Sequence, residues 1–248
     1  MKYAVCAVPL AAVRLNPDHR DEMVSQLLFG EQLTVLEKNK DGWALLENNW
    51  DGYMGWCCMN QFITVNELPA ASTKYTGAWV NEIRVNNQKM MLPFGCPLPQ
   101  NEVPGLQVGY NGIVLDASDL IFSEEQIRKI AFTYLNSSYL WGGRTVFGID
   151  CSGFAQAVYR MMNIKLLRDA RLQVSQGEPV GFLQEVCCGD LAFFDEFGEI
   201  VHVGIMLNAQ EIIHASGKVR IDHIDTEGII QKETGLRTHK LRVIKRIN

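Results

Sequence analysis

Residues 139–160 read YLWGGRTVFGIDCSGFAQAVYR. An aromatic run and Gly142-Gly143 lead into Asp150-Cys151-Ser152-Gly153, after which Phe154, Ala155, Val158, Met161 and Met162 recur at helical spacing. The pattern predicts a helix that opens at Cys151 with Asp150 as its N-cap. A cysteine in a first helical turn faces unpaired backbone N–H groups and the positive end of the helix macrodipole, and both favour a thiolate. Asp150 works against that charge, so a cationic base is required. Gly153 leaves room for a substrate, and the Gly142-Gly143 turn is expected to bring backbone close to the site.

Upstream, Ser123 and Gln126 form a capping box, and Ile127, Ile130, Ala131 and Tyr134 give a helix with one apolar face, so a domain is expected to open at residue 123. Downstream, "DLAFFD", "VHVGIML" and "EIIHAS" read as three strands in close succession. Helices followed by an antiparallel sheet make residues 123–248 an α+β domain.

The base must come from His19, His202, His214, His223 or His239. His202 and His214 lie on the arms of a hairpin. If its loop is odd and centred on position 208, the two pair directly and share a face, with Cβ atoms about 5 Å apart. One histidine then acts as base while the other orients it, the general arrangement of an activated nucleophile. A lone cysteine at a helix start, or a lone strand histidine, is more often inert; their combination favours catalysis.

Residues 1–65 carry short β-patterned runs between Asn-Pro, Lys-Asp-Gly and Trp-Asp-Gly turns, which predicts a small barrel. The apolar start, "YAVCAVPLAAV", superficially resembles a secretory signal, but Pro9 interrupts it and Arg14 follows, so a first β-strand is expected. Residues 66–122 continue in the same style and predict a second, reduced barrel, supported only by the region around Leu92 and Gly95.

Bulk composition narrows the function. Of 248 residues, 47% are hydrophobic and 21% charged, a globular composition, and a net charge of −5 without a basic cluster excludes a nucleic-acid footprint. No apolar run approaches the roughly 20 residues of a membrane span. The seven cysteines include the adjacent pairs 57-58 and 187-188, which lack the spacing of zinc or disulfide frameworks. A reducing, cytoplasmic location is expected, with export the alternative if a signal was removed. No H-E-x-x-H motif occurs, and neither metal nor cofactor is expected.

"YLWGGRTVFGIDCSGF", "GDLAFFD", "VHVGIML" and "IIHASG" together resemble the NlpC-type cysteine peptidases, a papain-like group that cuts bacterial cell-wall peptides. "VSQLLFGEQLTVLE", "DGWALLE" and "DGYMGW" resemble bacterial SH3-like barrels. Jointly they resemble the γ-D-glutamyl-L-diamino acid endopeptidases, which act on murein peptides with a free N-terminal L-alanine. The resemblance implies Cys151 as nucleophile, His202 as base and then acid, His214 as orienting residue, and Tyr139 as a phenol donor to the oxyanion. It implies that Asp150 and Ser152 contact the D-glutamyl unit and that Asp169 meets the substrate ammonium. Ala170 stands where some relatives have a hydroxyl. Glu22 and Tyr53 match residues that close the same pocket, and Trp141 is expected as a packing wall near the cleft. Plain readings compete: N-capping for Asp150, a solvated loop charge for Asp169, a surface charge for Glu22 and barrel core for Tyr53.

The expected enzyme is a monomer that selects released murein peptides, because a carboxylate cluster left unpaired by an acylated peptide would reject intact wall. Amidase or acyltransferase chemistry on the same acyl-enzyme, and a non-catalytic module that binds wall peptides, are the alternatives. Neither composition nor motifs choose between lysine and diaminopimelate after the cut bond.

Overall fold

The structure is a computed structural model and describes residues 2–247. The chain divides into two compact units. One runs to Asp119 and takes in Trp141–Val146; the other comprises Leu120–Leu140 and the chain from Phe147 onward.

In the first unit, seven strands between Tyr3 and Val65 form one sheet in which every ladder is antiparallel. The apolar start is a strand: Tyr3–Cys6 lies between Gln32–Lys38 and Phe62–Val65, with Ala4, Val5 and Cys6 buried. Lys-Asp-Gly and Trp-Asp-Gly turn the chain through Gly42 and Gly52, at φ +82° and +72°, a conformation glycine adopts without a Cβ penalty. Ala11, Val13, Leu27, Leu33 and Leu46 fill the interior.

Residues 66–119 are β-structured as well. Val80–Val85 is flanked by Gln88–Pro93 and Val108–Gly109, while Lys74–Thr76 pairs with Val114–Asp116 on one side and, through the Tyr75–Pro97 bridge and bonds to Gly95, Cys96 and Leu98, with the chain after Pro93 on the other. Ile83, Val85, Leu92 and Leu98 share one cluster with Val5, Leu28 and Phe29 of the preceding strands.

Trp141–Val146 also differs from expectation. Gly142, at φ +73°, allows the segment to lie against the backbone of Met23, where a Cβ would collide with the Met23 carbonyl. The diglycine turn therefore serves the first unit's packing. Arg144 is buried there, with its guanidinium paired to both Glu31 oxygens at 2.9 and 3.0 Å and donating to Gln26 O at 2.6 Å.

The second unit opens with helix α1 (Glu124–Thr133). Ser123 Oγ caps it by accepting from the Gln126 N–H, and Ile127, Ile130 and Ala131 are buried. Helix α2 (Cys151–Arg160) starts at the cysteine, with Asp150 Oδ1 accepting from the Gly153 N–H at 2.6 Å. Its Phe154, Ala155 and Val158 are fully buried. A single-turn helix, α3 (Ala170–Gln173), follows.

Six antiparallel strands then close into a ring. Leu191–Glu196 lies between Arg237–Arg246 and Glu199–Asn208; Glu211–Ser216, Lys218–Asp225 and Gly228–Ile230 follow in turn, and the last pairs back onto Arg237–Arg246. Glu178–Val180 adds an outer strand. Ala192, Phe194, Met206, Ile212, Ile224 and Ile229 form one core. Helix α2 packs on Glu199–Asn208 and Glu211–Ser216, so the alternate residues Val203, Ile205 and Ile213 are buried too. This double burial explains the near-continuous apolar run of "VHVGIML". Among the described residues, no helix is long and apolar enough to cross a membrane.

Candidate active site

The N-terminus of α2 carries Cys151 to the strand that bears His202. Backbone N–H groups of Val203, next in the chain to His202, and of Ser152 hydrogen-bond the sulfur. Tyr139 feels the charges of Cys151 and Asp150, and together with His202 it lines a groove of about 820 Å³.

His202 and His214 share a face of the sheet, though not by direct pairing. Gly204 lies opposite His214 and Met206 opposite Ile212, with the next pair, Asn208 and Glu211, displaced by a bulge at Leu207. A turn centred on position 208 would put His202 opposite His214; the real register is two residues off. An even slip preserves the face, so the imidazoles meet on the diagonal. Gly204 makes this approach feasible, since a Cβ there would lie 2.7 Å from Ile212 Cδ1 and 2.9 Å from His214 Cβ.

The hydrogen bonds fix a direction. His214 Nε2 is 3.0 Å from Asp222 Oδ2, and His202 Nε2 is 2.9 Å from His214 Nδ1. A carboxylate only accepts, so His214 donates through Nε2. Burial, partly offset by Asp222, lowers the His214 pKa and keeps the ring neutral. Its Nδ1 is therefore an acceptor, and His202 donates to it through Nε2–H. This leaves the His202 Nδ1 lone pair free to accept a proton. Asp222 is anchored by Arg220 at 2.7 and 2.9 Å and by the Lys232 N–H. Burial alone would raise the Asp222 pKa, but the bonds from His214 and Arg220 hold it well below the carboxylate range.

The sequence and the fold have known counterparts. The sequence pattern of the NlpC/P60 family matches residues 136–238, and that of the bacterial dipeptidyl-peptidase SH3 domain matches residues 13–59. Residues 136–238 form an NlpC/P60 cysteine-peptidase domain. A γ-D-glutamyl-L-lysine dipeptidyl-peptidase from Bacillus cereus is 25% identical, over 88% of this chain and 76% of its own. Dipeptidyl-peptidase 6 from Lysinibacillus sphaericus is 22% identical, over 90% and 92% respectively. The crystal structure of an NlpC/P60 family protein from Bacillus cereus superimposes with a TM-score of 0.82, at 19% identity, over 98% of this chain and 99% of that one.

The electrostatics of the NlpC/P60 domain correct one expectation. Burial pushes the Cys151 thiol up to about 12, and the neighbouring Asp150 charge adds to the rise. The N–H groups of Val203 and Ser152, and Arg168, pull the other way without overcoming it. Burial also lowers the His202 pKa, helped by His214 and His239. Burial thus disfavours the charged form of each group, against the thiolate that the helix start alone predicts. Tyr139, pushed up to about 12 by burial and by the Cys151 and Asp150 charges, stays protonated and remains a donor.

Asp150 is occupied. Its carboxylate accepts from the Gly153 N–H, from Ser152 Oγ at 3.2 Å and from Arg168 at 2.6 and 3.0 Å. Arg168 is 1% exposed and also donates to Ser152 Oγ at 2.9 Å. The N-cap reading of Asp150 describes this better than direct substrate contact. Asp169 precedes α3, half-buried, and pairs with the exposed Arg171 at 3.3 Å. Ala170 is buried in α3.

The structure gathers Cys151, His202, His214, Tyr139, Asp150, Ser152 and Asp169 in the second unit, whereas Glu22, Tyr53 and Trp141 belong to the first. There Trp141 Nε1 donates to Glu22 Oε1 at 2.7 Å, so Trp141 is a hydrogen-bonded surface residue, 60% exposed, and not a packing wall. Tyr53 is half-buried in the turn after Asp51, which accepts from its N–H. Sequence reasoning missed Asp222 and Arg168. Asp222 was traceable, because strand parity carries it to the His214 face once the second hairpin is placed.

Proposed function

We propose that the protein is a cysteine endopeptidase that cuts the bond between γ-D-glutamate and lysine or diaminopimelate in murein peptides with a free N-terminal L-alanine. The observation that carries this reading is the directed line from His202 through His214 to Asp222, which leaves one His202 nitrogen basic, on the residue next to Val203, whose backbone N–H bonds the Cys151 sulfur.

The chemistry follows from that line. The Cys151 proton passes to His202 Nδ1 as Sγ bonds to the γ-glutamyl carbonyl carbon. The Tyr139 hydroxyl donates to the developing oxyanion. Collapse breaks the C–N bond, and the departing amine takes the proton from His202. Water, deprotonated by the same nitrogen, then cleaves the thioester and restores the thiol. The imidazolium formed on the way is stabilised through His214 by the Asp222 carboxylate.

Two features support the finer points. The Asp169 carboxylate beside α3 provides a counter-charge for the substrate ammonium, which selects released fragments over acylated wall. Seven free thiols suit a reducing compartment, and with it recycling of such fragments in the cytoplasm.

The test is mass spectrometry of products from L-Ala-γ-D-Glu-L-Lys, its diaminopimelate analogue and their N-acetylated twins. Release of the dipeptide L-Ala-γ-D-Glu from the free-amine substrates alone is expected, and none from Cys151→Ala. Turnover by Cys151→Ala would refute the mechanism, and equal rates on acetylated peptides would refute amine selection.

A further inference from the structure

A third imidazole stands against the base. The His239 ring stacks on His202 with centroids 4.3 Å apart and planes 27° from parallel. His214 meets both rings edge-on, at 5.1 Å from His202 and 5.8 Å from His239. Phe194 borders both as well, at 5.7 and 5.9 Å. His202 is thus held by a hydrogen bond at one edge and by a flat ring on one face.

Three backbone features bring His239 there. The pairing of Arg237–Arg246 with Leu191–Glu196 runs Phe193 to Val243 and then Phe194 to Leu241, so Arg242 is an extra, bulged residue. Without that bulge Phe194 would face Arg242, and His239 would fall on the opposite side of the sheet; with it, His239 shares the face of Phe194 and His202. A second bulge, at Thr238, interrupts pairing with Gly228–Ile230. Gly228, at φ +143°, then lets the neighbouring strand approach so closely that a Cβ would collide with the His239 carbonyl. Bulges beside active sites commonly re-aim one side chain.

We propose that His239 is a positioning residue for the catalytic base, its stacked ring holding the His202 imidazole in the one orientation that the Nε2 bond to His214 selects, with Nδ1 presented for proton transfer. The single bond from His202 Nε2 to His214 leaves the ring free to rock about that contact, and a face-on neighbour removes this freedom. The ring also offers a π-face to the imidazolium that forms when His202 takes the proton, an attractive cation–π contact while His239 is neutral. Burial lowers the His239 pKa to about 4, so the ring is neutral across the working range.

The inference rests on the proposed function only in taking His202 as the base. Three variants test it: His239→Phe keeps a flat ring, His239→Leu fills similar space without one, and His239→Ala removes both. Acid–base catalysis supplies roughly 10²–10⁴-fold, and loss of orientation is expected to forfeit about tenfold or more in kcat for the Leu and Ala variants, with KM little changed. His239→Phe is expected to retain kcat within a factor of about three, since stacking survives. The alkylation rate of Cys151 by iodoacetamide, which needs His202 but no murein peptide, should follow the same order. A wrong substrate therefore leaves the parent inactive on peptide while the alkylation order stands. Unchanged kcat and alkylation in folded His239→Leu would overturn the proposal, as would a Phe variant no better than Leu.

Discussion

Asp222→Asn tests the site most directly, because it keeps the shape of the side chain while removing its charge and turning one acceptor oxygen into a donor. Asp222 Oδ2 receives the His214 Nε2–H at 3.0 Å, and the two are 1% exposed. A hydrogen bond to a charged group contributes about 1.5–3 kcal/mol. In the parent this bond fixes the His214 tautomer and stabilises the imidazolium that exists only during reaction, so its loss falls on the transition state. At about 1.4 kcal/mol per factor of ten, kcat should drop by roughly 10- to 150-fold with KM unchanged, as Asp222 has no part in substrate binding. The assay follows release of the diamino acid amine at saturating and limiting peptide. Arg220 loses one of its two charged partners at the same time, keeping Glu233, so rates are compared below the melting transition of the variant. A folded variant with a kcat loss under about threefold, or with its loss in KM alone, would refute the relay.

Gly204→Ala places a methyl 2.9 Å from His214 Cβ, and overpacking of this kind costs about 1–3 kcal/mol; a lower melting temperature and a reduced kcat are expected together. Acid should destabilise the second unit, because burial holds the pKa values of His202, His214 and His239 below the ordinary 6.5. The unfolded chain binds protons there that the folded one refuses, so stability is full above pH 6.5 and is lost as pH falls through the folded values. Each fully buried ring contributes at most a little over 1 kcal/mol per pH unit, and half-exposed His239 less, which urea titrations at pH 7 and pH 5 would measure. Cys151 should alkylate slowly at pH 6 and faster as pH rises towards its value of about 12, read by peptide mapping; rapid labelling at pH 6 would contradict a neutral resting thiol.

Local rules carried much of the fold. Ser123 and Asp150 cap their helices as the sequence signals because capping involves only neighbours in the chain. His202 and His214 share one face as strand parity predicts, although their register differs from a direct pairing, since parity tolerates an even slip. What stayed illegible depends on odd slips and on distant partners. The bulge at Arg242 decides the face of His239, and nothing in "RTHKLRVIKR" marks that position. Arg168 and Arg144 read as loop charges until the buried carboxylates that receive them, Asp150 and Glu31, are placed. The strands of residues 66–119 follow from turn rhythm, a signal that reports strands without reporting whether they close.

The Arg144–Glu31 pair has a bearing on biosynthesis. Glu31 is 2% exposed, and its guanidinium partner lies 113 residues further along the chain. During translation the N-terminal strands leave the ribosome long before Arg144 is made, and a buried carboxylate deprived of such a partner loses about 3–5 kcal/mol. The barrel therefore reaches its final stability only when the nucleophile's own loop has emerged, and a chain severed after Asp119 would lack that ion pair permanently.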